Sequence, residues 1–310
     1  MTFSIIHQKM KPLRWKFIVL MLLLGNVVYS QDTAAVAAVD TAAPAEPSKP
    51  KPVKNTFESV WIIDNQTVMV PVKGTFEFDI QHRFGLWENG YEDFFGLFAS
   101  SNIRMGFNYS PIDKLYVGLG LTKYKMLWDV NAKYAIVQQM TQGWWPVSIT
   151  YYGNMAIDSR SGEFFVNNSD RYSYFNQIII ARKINAKFSA QVAPSLSHTN
   201  VVNGYYSEPG KVSPERNHNH FAVALAGKYK LTQTLSALVN YDQPITKHAS
   251  GNPHPNISFG VAATTSSHSF QIFCGNYYYL SPQQNNMYNP NDFTNGQFLI
   301  GFNITRLWNF

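Results

Sequence analysis

The sequence predicts an all-β protein: a twelve-stranded antiparallel transmembrane β-barrel with short periplasmic turns and longer external loops. Three observations carry the prediction. Apolar and polar side chains alternate along most of the chain beyond residue 72, which gives each segment two faces made for different solvents. The composition is 15% aromatic, with 18 Tyr and 22 Phe, and only 14% charged, yet no long apolar run follows residue 30. A helical membrane protein would need about 20 consecutive apolar residues, whereas a barrel strand keeps half its residues polar. Finally, short and long links alternate between the segments, as an up-and-down barrel across a membrane requires.

The first element is a signal peptide over residues 1–30. Lys9, Lys11, Arg14 and Lys16 precede the apolar run Phe17 to Leu24, and Val28-Tyr29-Ser30 supplies the cleavage-reading positions. Met10 is an alternative start, because Lys11 to Lys16 already forms a charged leader. Removing these residues takes away four basic and no acidic groups, so the formal charge falls from +6 to +2. The basic balance is thus mostly signal peptide and gives no argument for nucleic acid. No Cys follows the cleavage site to carry a lipid anchor, and the sole Cys274 permits no intramolecular disulfide.

Residues 31–54 are an Ala, Pro, Thr and Lys leader, too poor in apolar surface to fold alone. Residues 55–72 differ, because Phe57, Val60, Trp61, Ile62, Ile63, Val68 and Val70 need cover that the leader does not give. This segment is expected to plug or cap the barrel, which occupies residues 73–310. Strands are placed near 74–83, 101–110, 114–123, 127–137, 145–156 and 172–183. Six more follow near 186–197, 219–229, 234–242, 256–265, 268–277 and 296–306. With the first strand rising from the periplasm, the links near 111–113, 138–144, 184–185, 230–233 and 266–267 are the short turns. Five of the six links at the other end are long.

The last strand adds a specific signal. Phe298, Ile300, Phe302, Ile304, Trp308 and the terminal Phe310 share one parity. This resembles the carboxyl-terminal strand of outer-membrane barrels that the barrel-assembly machinery recognises, which implies an assembly role for Phe302, Ile304, Trp308 and Phe310. Arg306 interrupts the parity, but a long basic side chain can snorkel at the rim.

The stretch Lys73-Gly-Thr-Phe-Glu-Phe-Asp-Ile-Gln-His-Arg-Phe-Gly85, with Phe95-Gly-Leu97, Asn102-Ile-Arg-Met-Gly106 and Lys114-Leu-Tyr-Val-Gly-Leu-Gly120, resembles a Bacteroidota family of β-barrel proteins known only as a domain of unknown function. The similarity runs from about Phe57 to Phe310. It implies a barrel in a Gram-negative outer membrane and brings no substrate, cofactor or activity with it.

With the apolar parity assigned to lipid, Glu77, Asp79, Arg83, Arg104, Asp129 and Lys133 line the lumen. Their signs are mixed, so internal pairing is expected rather than the like-charge ring of an ion-selective pore. Ala222, Ala224, Ala226, Ser258, Gly260 and Ala262 also face inward and leave one side roomy. His82, His198, His218, His220, His248 and His254 gather at the external loops and rims. Among them His198, His218 and His220 are a candidate Zn, Cu or Ni site, since His218 and His220 share a face if the chain there is extended. Ser267-His268-Ser269 holds the two residue types of a hydrolase pair, but nothing in the sequence is set to orient them. No catalytic residue is therefore assigned, and no Gly-rich phosphate loop or Cys cluster implies a cofactor.

The expected role is that of an exported outer-membrane barrel, not an enzyme, most simply a narrow pore or transport-related channel for small polar solutes. The alternative is a non-conducting scaffold or binding partner of an envelope complex. Below both stand an external metal-binding barrel and a phospholipase-like enzyme. Expected partners are outer-membrane lipids, the barrel-assembly machinery during biogenesis and a periplasmic protein that meets the leader.

Overall fold

The computed structural model describes residues 50–310. The signal peptide, the choice between Met1 and Met10, and most of the leader lie outside the described residues. The first strands are β1 (Trp61–Ile62) and β2 (Asn65–Gln66), which pair as a small hairpin. The wall begins with β3 (Thr75–Leu86), β4 (Asn102–Ile112), β5 (Leu115–Thr122), β6 (Leu127–Val137), β7 (Ser148–Asp158), β8 (Tyr172–Lys183) and β9 (Phe188–Thr199). An exposed hairpin follows, β10 (Gly204–Glu208) with β11 (Lys211–Pro214). The wall is completed by β12 (Asn219–Lys230), β13 (Leu235–Pro244), β14 (Asn256–Thr264), β15 (His268–Gly275) and β16 (Leu299–Asn309), with α1 (Pro282–Tyr288) in the link before β16. The twelve wall strands close into one antiparallel barrel, and β16 pairs with β3 at the seam. No helix among the described residues is long and apolar enough to cross a membrane.

The alternation read from the sequence is the alternation of the wall. Along β6, Leu127, Asp129, Asn131, Lys133 and Ala135 are buried inside, while Trp128, Val130, Tyr134 and Ile136 are exposed on the outer surface. A polar interior under an apolar exterior is what a hydrocarbon surrounding selects, because the outward face then needs no polar partners. Short links collect at one rim, and the long loops form a mouth at the other.

Several boundaries moved. The strand expected from residue 145 starts at Ser148, because Pro146 has no N–H for the ladder and the Trp145 carbonyl accepts from the Met140 N–H at 2.9 Å. The last strand runs from Leu299 to Asn309 rather than 296–306. Gly296 adopts φ +75° to end the turn Phe293–Asn295, and the register then carries Trp308 opposite Phe76 and Asn309 opposite Thr75. Two elements were not anticipated. The β10–β11 hairpin is almost wholly exposed and so has no one-sided pattern, and α1 is one short Gln- and Asn-rich piece with little apolar periodicity.

Residues 56–68 lie inside the barrel. Phe57, Ile62, Ile63 and Val68 form one buried cluster with wall residues that include Phe175, Ile179, Ala224, Ala226, Leu238, Ala262 and Phe273. The chain enters at the short-turn rim, where Val53 N–H donates to the Gln139 carbonyl at 2.7 Å and Thr141 N–H donates to the Lys51 carbonyl at 2.9 Å.

Candidate functional site: a filled lumen

The lumen is built from the polar parity of the wall. Arg104 on β4 reaches Asp129 on β6 through two hydrogen bonds of 2.9 Å and Asp79 on β3 through one of 3.1 Å. Asn108 donates to Asp79 at 2.8 Å, and Asn154 donates to Asp129 at 2.9 Å. All five side chains are buried. The register opposes Gly106 to Asp79 and Gly120 to Asp129, and a Cβ at either glycine would collide with the carboxylate facing it. Those two glycines are the sequence signal for the network that the charged residues alone did not give.

The other lining charges turn away from this wall network. Glu77 accepts from the Tyr116 hydroxyl at 2.7 Å. Lys133 donates to Gln66 Oε1 at 2.7 Å and to the Thr67 carbonyl at 3.3 Å, and Arg83 pairs with Asp64 at 3.3 Å. Gln66, Thr67 and Asp64 all belong to the inserted segment. The expectation of pairing among wall charges alone is therefore corrected for Arg83 and Lys133, because the insert, an element of a different parity, brings acceptors within their reach.

Wall amides hold the insert by its backbone. Gln271 donates to the Trp61 carbonyl at 2.9 Å and accepts from Ile63 N–H at 2.9 Å. Asn240 donates to the Ile62 carbonyl, Asn303 to that of Ile63 at 2.6 Å, Gln191 to that of Gln66 at 2.8 Å, and Thr150 to that of Val68 at 3.2 Å. Ile63 sits at φ +55°, a conformation unfavourable for a β-branched residue, and is fixed there by Gln271 and Asn303. Asn65 donates to Asp242 at 2.8 Å and Lys228 meets Glu58 at 2.6 Å. The contacts thus reach β3, β6, β7, β9, β12, β13, β15 and β16.

The link 276–298 fills the lumen from the mouth. In α1, Gln283 donates to Asn154 at 3.1 Å, and Asn285 donates to Asp64 of the insert at 2.7 Å. Met287 of the same helix is fully buried, and just beyond it Asn289 donates to Asn256 at 2.8 Å. Asp64 and Asn285 are where the two fillings meet. The small-residue side, expected to be roomy, is occupied by the apolar residues of the insert, and a crevice of about 90 Å³ remains at the short-turn rim beside Glu58, Ser59 and Met69.

The three candidate metal histidines do not converge. His218 lies at a bend before β12, so the extended-chain parity that would align it with His220 does not apply. Its Nδ1 donates to the Thr199 carbonyl at 2.7 Å, and its ring lies 6.2 Å from that of His198. His198 Nδ1 bonds Asn219 at 2.8 Å on the outward face, where both nitrogens have Asn partners. His220 is fully buried on the opposite face and bonds His248 at 2.9 Å. Among the described residues no group of His, Cys, Asp or Glu is arranged to hold a metal.

Ser267 and His268 do touch, at 3.0 Å, but Arg306 donates to His268 Nε2 at 2.9 Å. A guanidinium only donates, so Nε2 accepts, Nδ1 carries the hydrogen, and His268 cannot take a proton from Ser267 in this tautomer. On the last strand Phe302 and Ile304 lie on the outward face, Trp308 packs 5.7 Å from Phe76 under Arg306, and Phe310 is exposed at the rim.

Residues 57–308 match the family described as "Membrane bound beta barrel domain (DUF5777)". No curated protein matches the sequence. Among solved structures, a NanC porin is 10% identical with a TM-score of 0.44, covering 76% of this chain and 99% of its own. Salmonella typhi OmpF in complex with daunomycin is 7% identical with a TM-score of 0.35, covering 76% and 97%. The Pseudomonas putida toluene transporter TodX is 8% identical with a TM-score of 0.32, covering 77% and 89%.

Proposed function

The chain belongs to this membrane-bound β-barrel family, and on that footing we propose that it is an outer-membrane barrel that does not conduct at rest. In this reading it serves as a binding or scaffold protein, with the long-loop mouth outside the cell and the leader in the periplasm. One observation carries the reading: the insert is bonded by its backbone to side chains around the wall, and Asn285 of α1 closes on it from the other end at Asp64. A loosely seated lid would show its bonds on one side only. The leader is then the segment for a periplasmic partner, and Phe302, Ile304, Trp308 and Phe310 address the assembly machinery. We assign no catalytic step and no cofactor.

A second reading is a narrow channel for small polar solutes that opens when the insert moves. It is favoured by the wall of β12 to β14, where Ala224, Ala226 and Ala262 meet the insert through apolar contact. Planar-bilayer recording separates the two. The refolded chain from Gln31 should be silent, and deletion of residues 55–70 should give resolved conductance steps. Steady conductance from the intact chain would overturn the closed-lumen reading, and a silent deletion variant with a folded barrel would show that the insert is not what closes it.

A further inference from the structure

We propose that the mouth of the barrel holds a binding cleft for a small ring-bearing monocarboxylate, with Lys125 receiving the carboxylate beside an aromatic wall that includes Tyr279 and Tyr288. This goes beyond the closed-lumen reading and does not depend on it, because the cleft lies on the outer side of α1.

The cleft has a volume of about 480 Å³, within the range of sites that take small organic ligands. It lies where the turn Tyr124–Met126, the links after β7 and before β12, and the end of α1 come together. Four cations line it, Lys125, Arg160, Arg171 and Arg216, against the three carboxylates of Asp158, Asp170 and Glu215. The carboxylates are already engaged. Asp158 takes Arg160 through bonds of 2.9 and 2.7 Å, Glu215 takes Arg216 Nη1 at 2.8 Å, and Asp170 accepts the Asn167 N–H at 2.8 Å.

Lys125 and Arg171 are left without an ion-pair partner among the described residues. Arg171 spends Nη1 on the carbonyls of Asp158 and Arg160, at 2.9 and 2.6 Å, and so acts as a brace. Lys125 is different. Its ammonium stands 5.5 Å from the Tyr124 ring centroid and 5.9 Å from that of Tyr288, and the Arg216 guanidinium stands 4.8 Å from the same Tyr288 ring. Aromatic faces hold cations in place without neutralising them. Burial, with Arg160 adding to it, lowers the Lys125 pKa against the opposing pull of Asp158, which marks a cation short of negative charge. Arg216 is already engaged, with Nη1 on Glu215 and Nη2 on the Gly251 carbonyl at 2.6 Å, and its Nε is buried, so Lys125 is the cation left to meet a ligand.

The count of four cations against three carboxylates leaves one positive charge, which suits a monoanion better than a phosphate dianion. Tyr279 and Tyr288 supply aromatic wall, and Asn203, Ser173 and Gln284 supply groups for hydroxyls. Such walls accept either a sugar ring or an aromatic ring, so the shared chemistry is a carboxylate carried on a ring.

The test is calorimetric titration of the detergent-refolded chain from Gln31 with glucuronate, benzoate and glucose at low salt. Binding of glucuronate alone supports the site and assigns a sugar acid, and binding of benzoate alone supports it and assigns an aromatic acid. Both carboxylates binding also supports it, provided glucose does not. Lys125→Gln should weaken binding by about tenfold, as loss of a charged contact in a partly buried site does, and Lys125→Arg should largely retain it. Circular dichroism verifies that each variant is folded. No heat from either carboxylate, equal binding of glucose, or an unchanged affinity in folded Lys125→Gln would overturn the proposal.

Discussion

Arg104 joins three strands by itself, since its guanidinium spans Asp79 and Asp129 in a buried site. Its replacement by Met should leave two carboxylates buried without a cation, at a cost of about 3–5 kcal/mol. Urea unfolding of the detergent-solubilised barrel should register that loss. Adding Asp79→Asn and Asp129→Asn to Arg104→Met should recover most of it, because the remaining groups are then neutral and can bond one another. Parity placed these three residues in the lumen from the sequence alone. It could not choose their partners, because a partner across strands is set by register, and the register here is readable only in the glycines opposite each carboxylate. Parity failed outright at His218, where a bend interrupts the extended chain on which the metal trio depended.

The buried pair of His220 and His248 makes a pH prediction at the same scale. Asn217 N–H donates to His248 Nδ1 at 3.0 Å, so His248 Nε2 carries the hydrogen that reaches His220. Burial lowers the His248 pKa, the charge of Arg216 lowers it further, and Glu215 opposes both. The neutral ring is therefore favoured in the folded loop. Its stabilisation is complete above the ordinary histidine value of about 6.5 and declines as pH falls toward the lowered one. Hydrogen exchange in the link 245–255, corrected for intrinsic rate, should be faster at about pH 5 than at about pH 7.5, and His248→Gln should remove most of that difference.

Among the elements, the wall strands were the most legible, because lipid on one side and polar groups on the other impose a period of two on every strand. The insert was legible only as apolar residues in want of cover. Its mode of attachment was not, since backbone carbonyls bonded by Gln271, Asn240 and Asn303 leave no trace in the insert's own side chains. Gln271 is the most informative member, because one amide serves both Trp61 and Ile63. Gln271→Ala should lower stability by about 1–3 kcal/mol through the groups it strands. If the insert closes the lumen, the same variant should also show brief openings in bilayer recordings that the parent chain lacks. The helix in the link before β16 leaves no sequence signal, because its packing depends on Gln and Asn side chains that show no apolar period.

At the scale of the whole molecule, wall and insert complete one another. Arg83 and Lys133 are wall residues whose acceptors include groups of the insert, and Ala224, Ala226, Leu238 and Phe273 are wall residues whose apolar cover is the insert, so an empty barrel would lose those bonds and turn that apolar surface to water. Deleting residues 55–70 should therefore destabilise the barrel as well as open it, and the bilayer experiment needs protein whose fold has been verified. The family match and the closed barrel agree on architecture.

Arg83 on β3 donates to Asn303 on β16 at 2.9 Å, and the same two residues grip Asp64 and the Ile63 carbonyl. The first and last wall strands are thus stapled from within by the piece of chain that precedes both. Without that piece the seam keeps its backbone ladder and the Arg83–Asn303 bond but loses the inner clasp that ties both strands to one point.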